Sequence, residues 1–170
     1  MPYLRAGVDA PFGFMPYDGV LRITPYNKDA AAVRIFVGDA VIVEADGSVA
    51  VAAAGDVNIV GVAAEGSAAS TAKTDFLVMD HPDQLFTVQA DDGGTALAQT
   101  NVGNNCDLLA TTGDTTTERS LHEMDQSTAV ATTAQLRIVA LHPIEAGTFG
   151  ANRKYVVRWN EHLYASTTGI

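Results

Sequence analysis

Apolar and polar residues alternate with a period of two along much of the chain, which is typical of strands with one buried face. Clear alternation begins at Leu21 and returns around Val33 and Val41. Turn residues recur about every 8–15 positions, which favours an antiparallel β-sandwich or barrel over alternating strands and helices. Later apolar runs predict further strands over 57–62, 75–79, 84–89, 135–141 and 154–159.

The dipeptide Asp46-Gly47 stands between two alternating runs, one ending near Val43 and the other beginning at Val49. In this setting Asp-Gly is a strong hairpin signal, because both central residues of a type I′ turn need positive φ. The sequence therefore predicts a hairpin over 40–53, with Asp46 and Gly47 serving as turn residues and not as ligands.

Residues 118–126 are compatible with either a short helix or a strand. Thr115 and Glu118 have the spacing of a capping box, and Leu121 and Met124 lie at helical spacing. The run is short and ends at polar residues, so a strand fits equally well and both interpretations stay open. Little helix is expected overall, because the strand-forming residues Val and Thr occur 18 and 17 times.

Residues 1–19 mix prolines with large apolar side chains. Because prolines favour extended backbone and cannot donate to a central strand, we expect this stretch to be an extended N-terminal arm. The remaining residues, 20–170, are predicted to form a single β-rich domain. An extended arm cannot bury its own rings, so they must lie either against the body of the same protein or against another molecule. Both interpretations stay open, and the prolines favour contact with a neighbouring subunit or another protein. The predicted contact residues are Tyr3, Leu4, Phe12, Phe14 and Tyr17.

The composition excludes several classes of protein. The chain has 170 residues, of which 20 are acidic and 10 basic, and its net charge is −10. Nucleic-acid binding depends on Lys and Arg, so neither nucleic acid nor an anionic membrane is an expected partner. No apolar run approaches the ~20 residues of a membrane helix, and the N-terminus lacks the apolar stretch of a signal peptide. Cys106, the single cysteine, cannot form an internal disulfide.

The sequence contains no recognisable catalytic or metal-binding motif. The four histidines are scattered without zinc-site spacing, and no nucleophile elbow, phosphate loop or dinucleotide motif occurs. Acidic pairs in 80–83 and 91–94 are typical of turns. We therefore expect no enzymatic activity, no metal and no cofactor. A hydrolase would need two carboxylates that meet only in space.

Several segments resemble a known family of viral proteins. The run 80–89, Asp-His-Pro-Asp-Gln-Leu-Phe-Thr-Val-Gln, is the most telling, and it is similar to a segment of tailed-phage capsid decoration proteins, also called structural cement proteins. Other segments resemble the same family in collinear order. They are 10–16, 37–63, 129–139, 156–163 and 167–170.

The resemblance implies a non-enzymatic, cofactor-free virion protein on the outer surface of an icosahedral head, present in the host cytoplasm during assembly. Members of the family bind the major capsid protein, commonly as homotrimers that bridge neighbouring coat subunits and stabilise the shell. This is the expected function of the chain. The alternative comes from another class, a β-sandwich module that binds glycans or a host surface, with calcium in its acidic loops.

Overall fold

The computed structural model describes residues 6–130 and 132–166. The chain is mainly β, with 42% strand and 6% helix, so the predicted fold class with little helix is confirmed. The helical residues of the described ranges form short 3₁₀ turns. The strands are β1 (Met15–Asp18), β2 (Ile23–Lys28), β3 (Ala40–Val43), β4 (Val49–Val51), β5 (Ile59–Ala63), β6 (Lys73–Met79), β7 (Leu85–Gln89), β8 (Asn105–Leu109), β9 (Glu123–Val130), β10 (Leu136–Leu141) and β11 (Lys154–Trp159).

The strands form two antiparallel sheets that pack as a sandwich. The large sheet has the order β1-β7-β11-β10-β8-β9, and the small sheet has the order β2-β6-β5-β3-β4. Both sheets contribute side chains to the main core, for example Ile59 and Val62 from the small sheet and Phe86, Leu136 and Val157 from the large one. Burial of this shared apolar surface is the main force that holds the two sheets together.

The central strand of the small sheet, β5, is buried on both faces. Along β5, Ile59 and Val62 belong to the main core, whereas Val60 and Ala63 belong to a second apolar cluster. Asn27 of the edge strand β2 forms an isolated bridge with Ser48, the residue before the other edge strand β4, so the sheet curls around this second cluster without closing into a barrel. Two buried faces explain why the sequence of β5 is a continuous apolar run and does not alternate.

The predicted hairpin is present, but its turn type differs from the expected one. Val43 pairs with Val49, and the Gly47 amide donates to the Glu44 carbonyl at 2.9 Å. Gly47 has a φ of +84°, whereas Asp46 keeps a negative φ. The prediction of a type I′ turn is therefore wrong, and the loop is a type I turn followed by a left-handed glycine. Asp46 serves the turn as predicted, because its Oδ1 accepts from the Ser48 amide at 2.8 Å.

The two interpretations of residues 118–126 are now resolved. Glu118 has a left-handed φ of +55°, and a backbone bridge between Asp114 and Arg119 closes a turn there. A helix is therefore wrong for this segment, and strand β9 begins only at Glu123. The alternating residues around Val33 form no strand either and contribute only isolated bridges, such as the one between Ile35 and Ser67.

The predicted N-terminal arm needs a correction. Met15–Asp18 forms β1, which pairs with β7 at the edge of the large sheet and places Pro16 opposite Phe86. An edge strand tolerates a proline, since one side of the strand needs no donor. At least residues 12–18 are therefore part of the β domain, and the predicted boundary between residues 19 and 20 is wrong.

Candidate interaction surface

The structure separates the five residues that were predicted to contact another molecule. Tyr3 and Leu4 lie outside the described residues. Phe12 and Phe14 are only 4% and 1% exposed, so their rings pack almost entirely against this chain. The prediction that these two rings contact another molecule is therefore wrong in this structure. Tyr17 is 43% exposed, and its ring centroid lies 5.2 Å from that of His142.

Phe14 is an integral part of the main core. Its ring centroid lies 4.8 Å from that of Trp159 and 6.3 Å from that of Phe86, in an edge-to-face arrangement with the latter. Such aromatic contacts add to the apolar area that each ring buries. The core of the sandwich supplies the apolar surface that these rings need. From the sequence alone, that surface could equally well belong to a partner.

An apolar groove lies between the edge of the large sheet at β1 and the edge of the small sheet at β2. Its volume is about 560 Å³, and we call it the edge groove. The buried side chains of Phe12, Phe14 and Met79 help to line it. Leu21, Ile23 and Val37 also line it, although they are 53%, 47% and 45% exposed. The groove therefore combines buried apolar side chains with others that lack a full apolar environment within this chain.

Two glycines allow the backbone segments behind the groove to approach each other closely. The Phe14 amide donates to the Gly38 carbonyl at 2.9 Å. Gly13 has a φ of +73°, and a Cβ placed on it would lie 2.6 Å from that carbonyl oxygen and 2.4 Å from Ser120 Cβ. A side chain at Gly13 would therefore push the segment that carries Phe14 away from Gly38 and Ser120.

Charged residues border one end of the edge groove. Glu118 and Arg119 line it there, and Glu118 forms an ion pair with Arg34. The Arg34 guanidinium also lies 5.0 Å from the centroid of the Phe36 ring. An apolar groove with a polar border is the usual arrangement of a protein-binding site, where apolar anchors insert and the polar rim excludes mismatched partners.

A buried histidine–carboxylate pair lies at a second, smaller cavity of about 330 Å³. His122 Nδ1 accepts from the Ala40 amide at 3.2 Å, and its Nε2 lies 3.5 Å from Asp39 Oδ1. Burial lowers the pKa of His122, and the Asp39 carboxylate opposes only part of this shift. The Ala40 amide occupies Nδ1 of His122 and the Asp39 carboxylate lies beside Nε2, so the pair links the residue before β9 to the start of β3.

Asp80 has a role that the sequence did not indicate. It accepts from Arg22 Nε and from the Tyr26 hydroxyl, both at 2.7 Å, and it is buried. Burial opposes ionisation of Asp80, but these hydrogen bonds outweigh it and lower the pKa. The interpretation of 80–83 as turn residues alone is therefore wrong for Asp80, which joins β2 to the end of β6.

Cys106 lies on β8 with its side chain buried in the main core, and burial together with nearby carboxylates raises its pKa above the ordinary value. Within residues 6–130 and 132–166, no group of three or more His, Cys, Asp or Glu side chains is arranged to hold a metal ion. The same ranges contain no helix that is long and apolar enough to cross a membrane.

Comparison of the chain with protein-family models, with curated proteins and with solved structures finds no match.

Proposed function

We propose that this chain is a structural virion protein that decorates the outer surface of a tailed-phage head and cements it by binding the major capsid protein. The observation that carries the proposal is the edge groove, whose exposed apolar side chains border an otherwise acidic β-sandwich. The collinear resemblance to decoration proteins, of which 80–89 is the most telling segment, supports the same function.

The edge groove suits an extended, apolar segment of a coat subunit. Side chains of such a segment would cover Leu21, Ile23 and Val37, and each fully buried large apolar side chain contributes roughly 1.5–3 kcal/mol. Strand β1 borders the groove and lies at the end of its sheet, so one side of it is paired with no other strand of the described residues. An unpaired strand edge offers backbone hydrogen bonds to an extended partner.

Cementing follows from mass action. A protein that binds the assembled shell but not its separated subunits stabilises the shell by the free energy of binding. We propose a homotrimer as the active form. Its three copies of a weak binding site bind the shell at the same time, so the affinity of the trimer exceeds that of a single site. A net charge of −10 disfavours contact with packaged nucleic acid and keeps unbound copies in solution.

The proposed function is tested by adding the purified chain to heads of the encoding phage from which it has been stripped. We expect binding at a fixed copy number, density on the outer surface by electron microscopy, and a higher temperature of head disruption. Binding without a fixed copy number, or no binding, would overturn the proposal.

A variant pair tests the role of the edge groove. Leu21→Asp places a charge in the groove and is expected to weaken head binding by at least tenfold. Val57→Asp is the matched control, because Val57 is 59% exposed and lies between β4 and β5, outside the groove. Equal binding by the two variants would move the coat contact away from the edge groove. No observation in the described residues favours the alternative function, calcium-dependent glycan binding.

A further inference from the structure

Residues 7–10, here called the N-terminal segment, run beside the ends of β7 and β11 and are held mainly by buried side chains. The residues that hold them are Gln89, Glu145 and Lys154, all nearly inaccessible to solvent. The hydrogen bonds are Gly7 N to Glu145 Oε2 at 3.1 Å, Lys154 Nζ to Val8 O at 2.7 Å, and Ala10 N to Gln89 Oε1 at 3.1 Å.

The carboxamide of Gln89 connects the N-terminal segment to a second carboxyl group. Gln89 Nε2 donates to Asp9 Oδ1 at 3.0 Å and to Glu123 Oε1 at 3.1 Å. Asp9 lies on the exposed segment, whereas Glu123 lies on strand β9. The same amide nitrogen therefore brings two acidic side chains from different parts of the fold close together.

The charges that face Glu123 are mostly negative. Asp9 faces it from the N-terminal segment and Asp91 and Asp92 from the loop after β7, while the Lys154 ammonium on β11 is the nearby cation. Burial raises the pKa of Glu123 to about 7, the hydrogen bond from Gln89 opposes this rise, and the three aspartates add to it. Lys154 is already occupied, since it donates to the carbonyls of Val8 and Asn152.

We propose that the N-terminal segment is a proton-controlled latch, closed on the β domain while Glu123 is protonated and released when Glu123 loses its proton. Ionised Glu123 repels Asp9 across the Gln89 amide and also competes for the Lys154 ammonium that holds Val8. Glu123 is held in strand β9, and the Asp91 carboxylate accepts from the Gln126 and Gly93 amides, so the exposed Asp9 is the acidic group that can move away. The inference does not depend on the proposed function of the chain.

The direction of the pH dependence follows from linkage. In the closed state the pKa of Glu123 is raised to about 7, and release returns it toward its ordinary value of 4.5. Protons therefore favour the closed state, and closure weakens as the pH rises from about 4.5 through 7. One unit of pKa difference corresponds to tenfold in the closing equilibrium. Partial solvent screening reduces the full effect, so we expect roughly tenfold in total.

The latch is tested by solvent-exchange NMR of the Gly7 and Ala10 amides between pH 5 and 8.5, with each rate divided by its intrinsic value. We expect their protection to fall about tenfold across this range, while the amide of Val157 in the core stays protected. Glu123→Gln keeps the amide contact without a titrating proton, so its protection should stay high throughout. The matched control Glu161→Gln, which removes another partly buried glutamate, should retain the wild-type pH dependence.

Two results would overturn the proposal: protection in the wild type that does not change with pH, or an unchanged pH dependence in Glu123→Gln. If Glu123→Gln fails to fold, Asp9→Asn provides the test on an exposed residue. It removes the repelled charge and keeps an acceptor for Gln89, so it should reduce the loss of protection at high pH. An unchanged loss in Asp9→Asn would equally overturn the latch.

Discussion

Residues 7–10 and 12–18 are neighbours in the chain, but different forces hold them on the β domain. The first stretch is mostly exposed and is held by hydrogen bonds with the side chains of Gln89, Glu145 and Lys154. The second buries Phe12 and Phe14 and adds a strand to the large sheet. A stretch that looks uniform in sequence is thus divided between polar and apolar attachment.

This difference indicates which of the two segments can respond to pH. Apolar burial does not depend on protonation, so the attachment of residues 12–18 should persist at every pH at which the domain is folded. Buried carboxyl groups change their charge near neutral pH only where the surroundings shift their pKa, as at Glu123. The segment attached by polar groups can therefore respond to pH while the adjacent segment remains fixed.

The largest expected effect comes from breaking the apolar attachment. Phe14→Ala should lower the free energy of unfolding by about 3–5 kcal/mol, because it removes a fully buried ring and leaves a cavity beside Phe86 and Trp159. Urea denaturation measures this change. Tyr17→Ala, on the same strand but half-exposed, is the control and should cost about 1 kcal/mol or less. Similar losses in both variants would contradict the placement of Phe14 in the core.

A smaller effect is expected at the glycine that lets the two segments approach. Gly13→Ala should destabilise the protein by roughly 2–3 kcal/mol, because its Cβ would collide with Ser120 and with the Gly38 carbonyl at a positive φ. Gly47→Ala is the matched control, since Gly47 also has a positive φ but no atom lies within 4 Å of its Cβ position. It should cost only about 1 kcal/mol, and equal costs would show that the close approach at Gly13 is unimportant.

The smallest expected effect concerns the buried His162, whose response to acid is opposite in direction to that of Glu123. Burial lowers the pKa of His162 to about 4. The unfolded chain then binds the proton more readily, so stability is lost as the pH falls from about 6.5 to 4.

The variant His162→Gln isolates this contribution. By urea denaturation, the stability difference between wild type and His162→Gln should shrink by roughly 1–2 kcal/mol between pH 7 and pH 4. A difference that stays constant with pH would mean that His162 titrates normally in the folded protein.

Much of the β architecture was predictable because its signals are local. The hairpin around Asp46-Gly47 and the strands β5, β7 and β11 were indicated by period-two patterns, apolar runs and turn residues within a few positions of each other. The exact turn was less predictable, since the same dipeptide serves a type I turn with a left-handed glycine as well as a type I′ turn.

The candidate surface was predicted only in part. Tyr17 is half-exposed, and its contact with another molecule stays a prediction. Phe12 and Phe14 were not recognised as core residues, because the sequence of an extended segment with rings is the same whether its apolar partner lies in the same chain or in another. The roles of Asp80 and Gln89 were missed for another reason. Their partners Arg22 and Asp9 are 58 and 80 residues away in the chain, and no spacing in the sequence records such a pairing.

By itself, the sequence determined the fold class, most strand positions, the acidic charge and the single cysteine, because each depends on composition or on neighbours along the chain. Only the tertiary structure decided which side chains of residues 7–18 are buried, which carboxyl groups face one another and where an apolar groove stays open. Those properties depend on contacts between distant residues, and such contacts exist only after the two sheets have packed. The division between a polar and an apolar attachment is therefore a product of the fold.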